Sequence, residues 1–97
     1  MDIFTWIGPR DVRTAEQWAS RRHAWAAEAH QADTGRIFLR LREREDARAT
    51  IGLVIRDANG FVALDAEGRR VAEGKLTHVL EALARERRDG SIRAAAH

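Results

Sequence analysis

The sequence predicts an α+β domain: a helix, a three- or four-stranded antiparallel meander and a second helix, with the helices packed on a single layer of sheet. Three observations support this. Aliphatic residues alternate with arginines from Ile37 to Arg44, a period of two that is typical of a half-buried strand. The dipeptide Asn59-Gly60 is a strong hairpin signal. The segments before and after the meander carry apolar residues at helical spacing.

The 97 residues are about the length of one domain and contain no internal repeat. Apolar residues make up 44% of the chain, but 18 of them are alanines, so 25 larger apolar side chains remain to build one modest core. Because residues 91–97 contain one large apolar side chain, we predict a single α+β domain over residues 1–90 and a flexible C-terminal tail over residues 91–97.

The chain has no cysteine, which excludes a disulfide framework and a thiolate metal site. Its first residues include an acid at position 2, and their apolar run is too short for a signal peptide or a membrane span. These features predict a cytoplasmic protein that does not associate with membranes.

The N-terminal third predicts one long helix. Residues 3–7 are apolar and predict a short strand or an apolar arm, which ends near Pro9. A helix is expected from about Thr14 to Gln31, with Asp11 or Thr14 as its N-cap. This segment is rich in alanine, the residue that most favours a helix.

Two tryptophans in this segment, Trp18 and Trp25, are seven residues apart and would lie along one face of the predicted helix. Because each ring can bury a large area, we predict that both pack on the sheet as core. An exposed aromatic hot spot for a partner is the alternative.

The alternation of residue types also predicts the register of the strands. A three-residue loop at residues 45–47 would pair Leu41 with Ile51, and a two-residue loop at Asn59-Gly60 would pair Ile55 with Leu64. This register places the following aliphatic side chains on the inner face: Ile37, Leu39, Leu41, Ile51, Leu53, Ile55, Val62 and Leu64.

The C-terminal third predicts a turn at residues 65–69, a short edge strand at residues 70–72 and a second helix from about Lys75 to Arg88. Asp89-Gly90 is expected to end this helix. One stripe of the helix should face the core, and it consists of Leu76, Val79, Leu80 and Leu83.

Residues that could perform catalysis are sparse. Neither Ser20 nor Ser91 lies in a glycine-flanked nucleophile turn. His23 and His30 would lie two helical turns apart, about 10.5 Å, which is too far for one metal ion. The glycines do not form a phosphate-binding pattern. We predict that the chain is not an enzyme and that it has no catalytic residue, metal site or cofactor.

The outer face of the predicted sheet combines basic and aromatic residues. Residues 36–56 hold six basic and three acidic groups, and therefore the whole net positive charge of the chain. Such a face is suited to an acidic protein surface, or to stacking bases and neutralising phosphates. An ordinary solvated sheet face is a third interpretation. We name this predicted surface the arginine face, and it comprises Arg36, Phe38, Arg40, Arg42, Arg44, Val54, Arg56 and Phe61.

These features predict a small non-enzymatic protein-interaction module that acts as a regulator or inhibitor of a nucleic-acid-handling complex. Its partner would be a protein with an acidic surface. The alternative is direct nucleic-acid binding through the arginine face, which requires phosphates to be neutralised by its arginines. Self-association through an exposed edge strand is a further alternative.

The predicted order of helix, three strands and helix resembles the topology of the double-stranded RNA-binding domain. That family has a Gly-Pro-x-His type loop between its first two strands and a lysine-rich start to its second helix. In this chain the loop is Glu45-Asp46-Ala47, and Lys75 is the only lysine. The resemblance therefore covers the order of elements, and it implies no site residues.

Overall fold

The computed structural model describes residues 7–21 and 24–95, and the backbone alone for residues 88–95. The five strands form one antiparallel sheet in the order β1-β2-β3-β4-β5, and both helices pack against one face of it. The predicted α+β order of helix, antiparallel meander and helix is confirmed, with five strands in the sheet. The elements are α1 (Pro9–Ser20), β1 (Trp25–Gln31), β2 (Ile37–Glu43), β3 (Asp46–Asp57), β4 (Gly60–Asp65), β5 (Arg70–Gly74) and α2 (Leu76–Ala95).

Helix α1 begins at Pro9, five residues before the predicted start at Thr14. Proline suits the first helical position because its φ is already helical and no N–H is needed there. Gly8 is the N-cap, and its backbone N–H donates to Asp11 Oδ2 at 3.0 Å. Of the predicted apolar arm, residues 3–6 lie outside the described residues, and Ile7 is fully buried.

The prediction of a helix up to Gln31 is wrong, because α1 ends at Ser20 and the segment that follows is strand β1. All seven residues of β1 pair with β2 without a bulge. Alanine, glutamate and glutamine favour a helix locally, but pairing with β2 and the burial of Trp25 in the core decide the outcome.

The two tryptophans therefore lie on different elements, Trp18 on α1 and Trp25 on β1. Their rings still meet, with centroids 5.5 Å apart and an angle of 63° between the planes. Trp18 Nε1 also donates to Glu81 Oε1 on α2 at 2.8 Å, which joins the two helices. Trp25 is buried in the core and Trp18 packs against it, so the predicted core role of both residues is confirmed.

A bulge in β3 decides which side chains face the helices. Leu41 pairs with Gly52, but the next residue of β2, Arg42, pairs with Thr50, so Ile51 is the extra residue. The predicted pairing of Leu41 with Ile51 is therefore wrong by one position. A slip of one residue turns every following side chain to the opposite face of a sheet.

The helices consequently cover a different set of residues from the predicted one. A central row of the covered face runs through Leu39, Val54 and Ala63, all fully buried. Val54 and Phe61, predicted on the arginine face, belong to this core, whereas four aliphatic residues predicted as core lie on the other face. Those four are Leu53, Ile55, Val62 and Leu64.

The hairpin between β3 and β4 also differs from the prediction. Its turn consists of Ala58 and Asn59, and Ile55 pairs with Val62 where Leu64 was predicted. This difference of two positions changes the partner but leaves each side chain on the same side of the hairpin. Gly60 begins β4 with φ of 132°, a conformation that suits glycine.

The predicted turn at residues 65–69 and the short strand β5 are confirmed, as is the buried stripe of α2. Helix α2 continues through Asp89 and Gly90 to Ala95, beyond its predicted end near Arg88. Within residues 7–21 and 24–95, no helix is long and apolar enough to cross a membrane.

Gly52 lets α2 approach the sheet closely. A Cβ atom at this position would lie 2.5 Å from the backbone oxygen of Leu64 and 2.8 Å from Leu83 Cδ2. Leu83 is buried in the core, so neither neighbour has free space to move into. The position therefore requires a residue without a side chain.

We expect Gly52→Ala to lower the free energy of unfolding by about 3 kcal/mol, because overpacking between a backbone oxygen and a core leucine forces both to shift. Urea unfolding followed by tryptophan fluorescence measures the change. The control is Gly8→Ser at the N-cap of α1, where the nearest atom to the new Cβ is 3.8 Å away. It should change the unfolding free energy by less than about 0.5 kcal/mol. Equal stability of the two variants would contradict the close approach.

Candidate interaction surface

The face of the sheet opposite the two helices, here called the open face, includes two rows of side chains that cross all five strands and a shorter row of Ala26, Arg42 and Thr50. Cross-strand pairing defines the first row directly. It also places the second row beside the first: Leu39 pairs with Val54, and in an antiparallel pair Phe38, before Leu39, lies opposite Ile55, after Val54. The first row is Glu28, Arg40, Leu53, Leu64 and Arg70, and the second is His30, Phe38, Ile55, Val62 and Glu73.

The β1–β2 side of the open face holds a group of charged residues centred on Glu28. Arg42 Nε lies 2.9 Å and Arg40 Nη1 3.2 Å from the same carboxylate oxygen, Glu28 Oε1. Arg40 Nε also donates to Thr50 Oγ1 at 2.8 Å, and His30 Nε2 lies 3.7 Å from Glu28 Oε1. We call these residues the Glu28 cluster: Glu28, His30, Arg40, Arg42 and Thr50.

Backbone carbonyl oxygens also accept hydrogen bonds from the two arginines. Arg40 Nη2 donates to the oxygen of Ala47 at 2.6 Å, and Arg42 Nη1 donates to the oxygens of Glu43 and Arg44 at 2.9 and 3.1 Å. About a fifth of each arginine side chain is exposed, 21% for Arg40 and 20% for Arg42. Both guanidinium groups are therefore largely used within the fold.

The cluster also shifts the ionisation of Glu28. Partial burial raises the pKa of Glu28, but the contact and positive charge of Arg42, with a smaller contribution from His30, outweigh that effect. The net result is a pKa of Glu28 below its ordinary value of 4.5. Glu28 is therefore a carboxylate at neutral pH.

The β3–β4 side of the open face is apolar. Ile55 is 37% exposed, the one large hydrophobic residue classed as exposed among the side chains that the structure describes. Val62, its cross-strand neighbour, is 1% exposed although it is not part of the core on the helix side. We call this surface the apolar patch, and it comprises Phe38, Leu53, Ile55, Val62 and Leu64.

Two residues of the predicted arginine face, Arg56 and Phe61, lie on the covered face instead. The Arg56 guanidinium carbon is 5.1 Å from the centroid of the Phe61 ring, and Arg56 Nη1 is 3.7 Å from Asp11 Oδ2 on α1. A cation over an aromatic face and an ion pair both stabilise contacts between elements. Arg56 therefore links α1 to the sheet, which follows from the bulge at Ile51.

The remaining two predicted residues lie in connections. Arg36 is exposed in the loop between β1 and β2. Arg44, in the two-residue turn after β2, donates from Nη2 to the oxygens of Trp25 and Ala19 at 3.2 and 3.5 Å. A cation next to the last carbonyls of α1 is favourable, so Arg44 stabilises the junction between α1 and β1.

The structure thus brings together three of the predicted site residues, Phe38, Arg40 and Arg42, on one face. Sequence reasoning missed Glu28, because it placed this residue in a helix. The signal that could have located it is the alternation of Ala27 and Ala29 with Glu28 and His30, which fits a strand but is weak because alanine favours helices.

Residues 7–21 and 24–95 contain no group of three or more His, Asp or Glu side chains that could hold a metal ion. Of the four histidines in the sequence, His23 and His97 lie outside the described residues. His30 stacks on Phe38 with ring centroids 5.7 Å apart, and His78 is exposed on α2. The described histidines therefore contribute to surfaces of the protein.

Comparisons of the chain with protein-family models, curated proteins and solved structures found no match. The resemblance to the double-stranded RNA-binding domain was confined to the order of elements, and the sheet has five strands where that order has three. A functional interpretation consequently rests on the open face itself.

We expect Glu28→Gln to lower the free energy of unfolding at pH 7 by about 0.5–1 kcal/mol, because Arg40 and Arg42 both lose the carboxylate charge that they contact. The effect is small because the Glu28 side chain is 36% exposed and solvent screens the pair. A carboxylate whose pKa is lowered by folding stabilises the protein above its unfolded pKa. The difference between wild type and variant should therefore vanish as the pH falls below about 4.5 through the lowered pKa of the folded state.

Urea unfolding of both proteins between pH 7 and pH 3 measures this difference. Glu45→Gln is the control, because Glu45 is exposed in the turn after β2. It should have little effect on stability at either pH. A loss in Glu28→Gln that is the same at pH 3 and pH 7 would show that the ion pairs are not its cause.

Proposed function

We propose that this chain is a small non-enzymatic protein-interaction module and that its open face meets the partner protein. The observation that carries the proposal is the exposure of Ile55 within the apolar patch, because a large aliphatic side chain on a sheet face stays in contact with water until a partner covers it. Neither helix covers the patch, and Ile55 within it is 37% exposed.

The charges around the patch favour an acidic partner. Arg36 and Arg48 are exposed, and Arg70 lies on the open face in an ion pair with Glu73 at 3.0 Å. A partner with an apolar centre and acidic residues around it would complement this arrangement. The narrower form of the proposal is a cytoplasmic regulator or inhibitor of a nucleic-acid-handling complex. The three arginines Arg36, Arg48 and Arg70 support it, because they suit an acidic partner surface.

Direct nucleic-acid binding through the same face is the alternative, and the geometry favours it less. Arg40 and Arg42 already contact Glu28 and backbone carbonyls, so binding a phosphate would require these contacts to be broken. The aromatic residue expected to stack a base on β4, Phe61, lies on the covered face beneath Arg56. Phe38 alone is a small stacking platform.

We expect Ile55→Asp to weaken binding of the partner at least tenfold while leaving the fold intact. A carboxylate at the most exposed position of the apolar patch would be buried without a partner charge in the complex. Ala66→Asp is the matched control, since it adds the same charge in an exposed turn where aspartate is well tolerated. Partner proteins captured from the native host would be purified and titrated calorimetrically with wild type and both variants.

Capture with and without nuclease separates the two candidate functions. A protein partner should be retained after nuclease treatment and should lose affinity for Ile55→Asp but not for Ala66→Asp. Mobility-shift titrations at two salt concentrations test the alternative, because phosphate contacts give an affinity that falls steeply with salt. Equal binding of Ile55→Asp and wild type to every captured protein would refute the assignment of the open face.

A further inference from the structure

Strand β1 is an edge of the sheet, and the described residues offer no hydrogen-bond partner to the backbone groups on the outer side of its residues 27–31. Ala32 N–H donates to the oxygen of Arg36, and Arg44 N–H donates to the oxygen of Ala24. Because hydrogen-bonded pairs alternate along an antiparallel ladder, the even-numbered residues of β1 are the ones that bond to β2. The N–H and C=O groups of the odd-numbered residues Ala27, Ala29 and Gln31 therefore point away from the sheet.

The opposite edge of the sheet, β5, is protected against pairing with another strand, whereas residues 29–31 of β1 are not. Strand β5 has five residues, a register shift opposite β4, and the ion pair of Arg70 with Glu73. Short length, irregular pairing and charge are the features that prevent an edge from accepting another strand. Residues 29–31 of β1 are exposed, and the strand pairs regularly over seven residues without a bulge or a proline.

We propose that β1 pairs antiparallel with β1 of a second copy of this chain, with the two-fold axis at Ala29. In this register Ala27 pairs with Gln31 of the partner subunit, and Glu28 lies opposite His30 of the partner subunit. The two-fold symmetry repeats each contact, so the interface contains two Glu28–His30 pairs. This surface is separate from the apolar patch and goes beyond the proposed function.

Side-chain complementarity favours this register over its neighbours, because the Glu28 carboxylate can accept a hydrogen bond from His30 of the partner subunit. A shift of the axis to Glu28 would place two carboxylates directly opposite each other, and like charges opposite each other destabilise a pair of strands. A shift to His30 would leave the two imidazoles opposite each other and shorten the ladder. With the axis at Ala29, the alanine side chains at the centre are small enough not to hinder the approach of the second strand.

The pairing joins the two sheets edge to edge into one ten-stranded sheet, so the open faces of both copies become continuous. The Glu28 clusters of the two copies meet at the junction, because Glu28 and His30 lie on the open face. Apart from Phe38 on β2, which stacks on His30, the residues of the apolar patch lie on β3 and β4, away from the junction.

Sedimentation velocity over a range of protein concentrations tests the proposal, and wild type should sediment as a dimer. Amide hydrogen exchange supplies the site-specific readout. The N–H groups of Ala27, Ala29 and Gln31 should be protected in the dimer, because these groups become hydrogen-bonded only when a second strand is present. Wild type that sediments as a monomer at all concentrations up to about 1 mM overturns the proposal.

Ala29→Pro removes an outward N–H without removing a bond to β2, so this variant should be a folded monomer with wild-type circular dichroism. Ala29→Thr keeps the N–H and should remain a dimer.

His30→Glu should weaken the dimer about tenfold, because two like-charge pairs replace two attractive ones, whereas His30→Lys should not. A dimer that persists in folded Ala29→Pro with unprotected Ala27 and Gln31 amides shows another interface and overturns the proposal. If Ala29→Pro does not fold, the comparison of His30→Glu with His30→Lys and the amide exchange of wild type test the proposed interface instead.

Discussion

The contact between Gly52 and Leu83 is the constraint on which both faces of the sheet depend. Leu83 reaches the sheet where Gly52 has no side chain, and the bulge that turns Gly52 toward the helix inserts Ile51 immediately before it. Ile51 and Gly52 are both buried, as expected where two successive residues oppose one. From this point Val54 and Arg56 face the helices, and Leu53 and Ile55 face away from them.

This single displacement explains the unusual division of the open face. Without the bulge, the aliphatic residues of β3 and β4 would lie beneath the helices and the arginines would form one continuous basic surface. With the bulge, Arg56 is withdrawn to a position between α1 and Phe61, and an apolar patch lies next to Arg40 and Arg42. Glu28 on the neighbouring strand then neutralises part of the remaining positive charge. An apolar surface with a partly compensated charged border suits protein recognition better than it suits phosphate binding.

Some of this structure could be predicted from the sequence because local signals determine it. The stripe of α2 and the alternation of β2 lie within single elements, and their periodicity correctly identified Leu80, Leu83, Leu39 and Leu41 as core. The bulge at Ile51 could not be predicted in this way, since Gly52 beside it packs against a residue thirty-one positions later. Strand β1 was missed for a related reason, because its pairing with β2 is visible only in three dimensions.

The Glu28 cluster also bears on whether the edge of β1 can be buried. Placing a carboxylate at an interface is costly unless it is paired, and the cost rises as water is removed. Glu28 already has two arginine partners on its own chain, and these lower its pKa below the ordinary value. It can therefore enter an interface as a charge that is largely compensated, and His30 of a partner subunit would add to the compensation. In the proposed pairing, the arginines predicted to bind a partner would have a second role, which is to permit an acidic residue at the edge of the sheet.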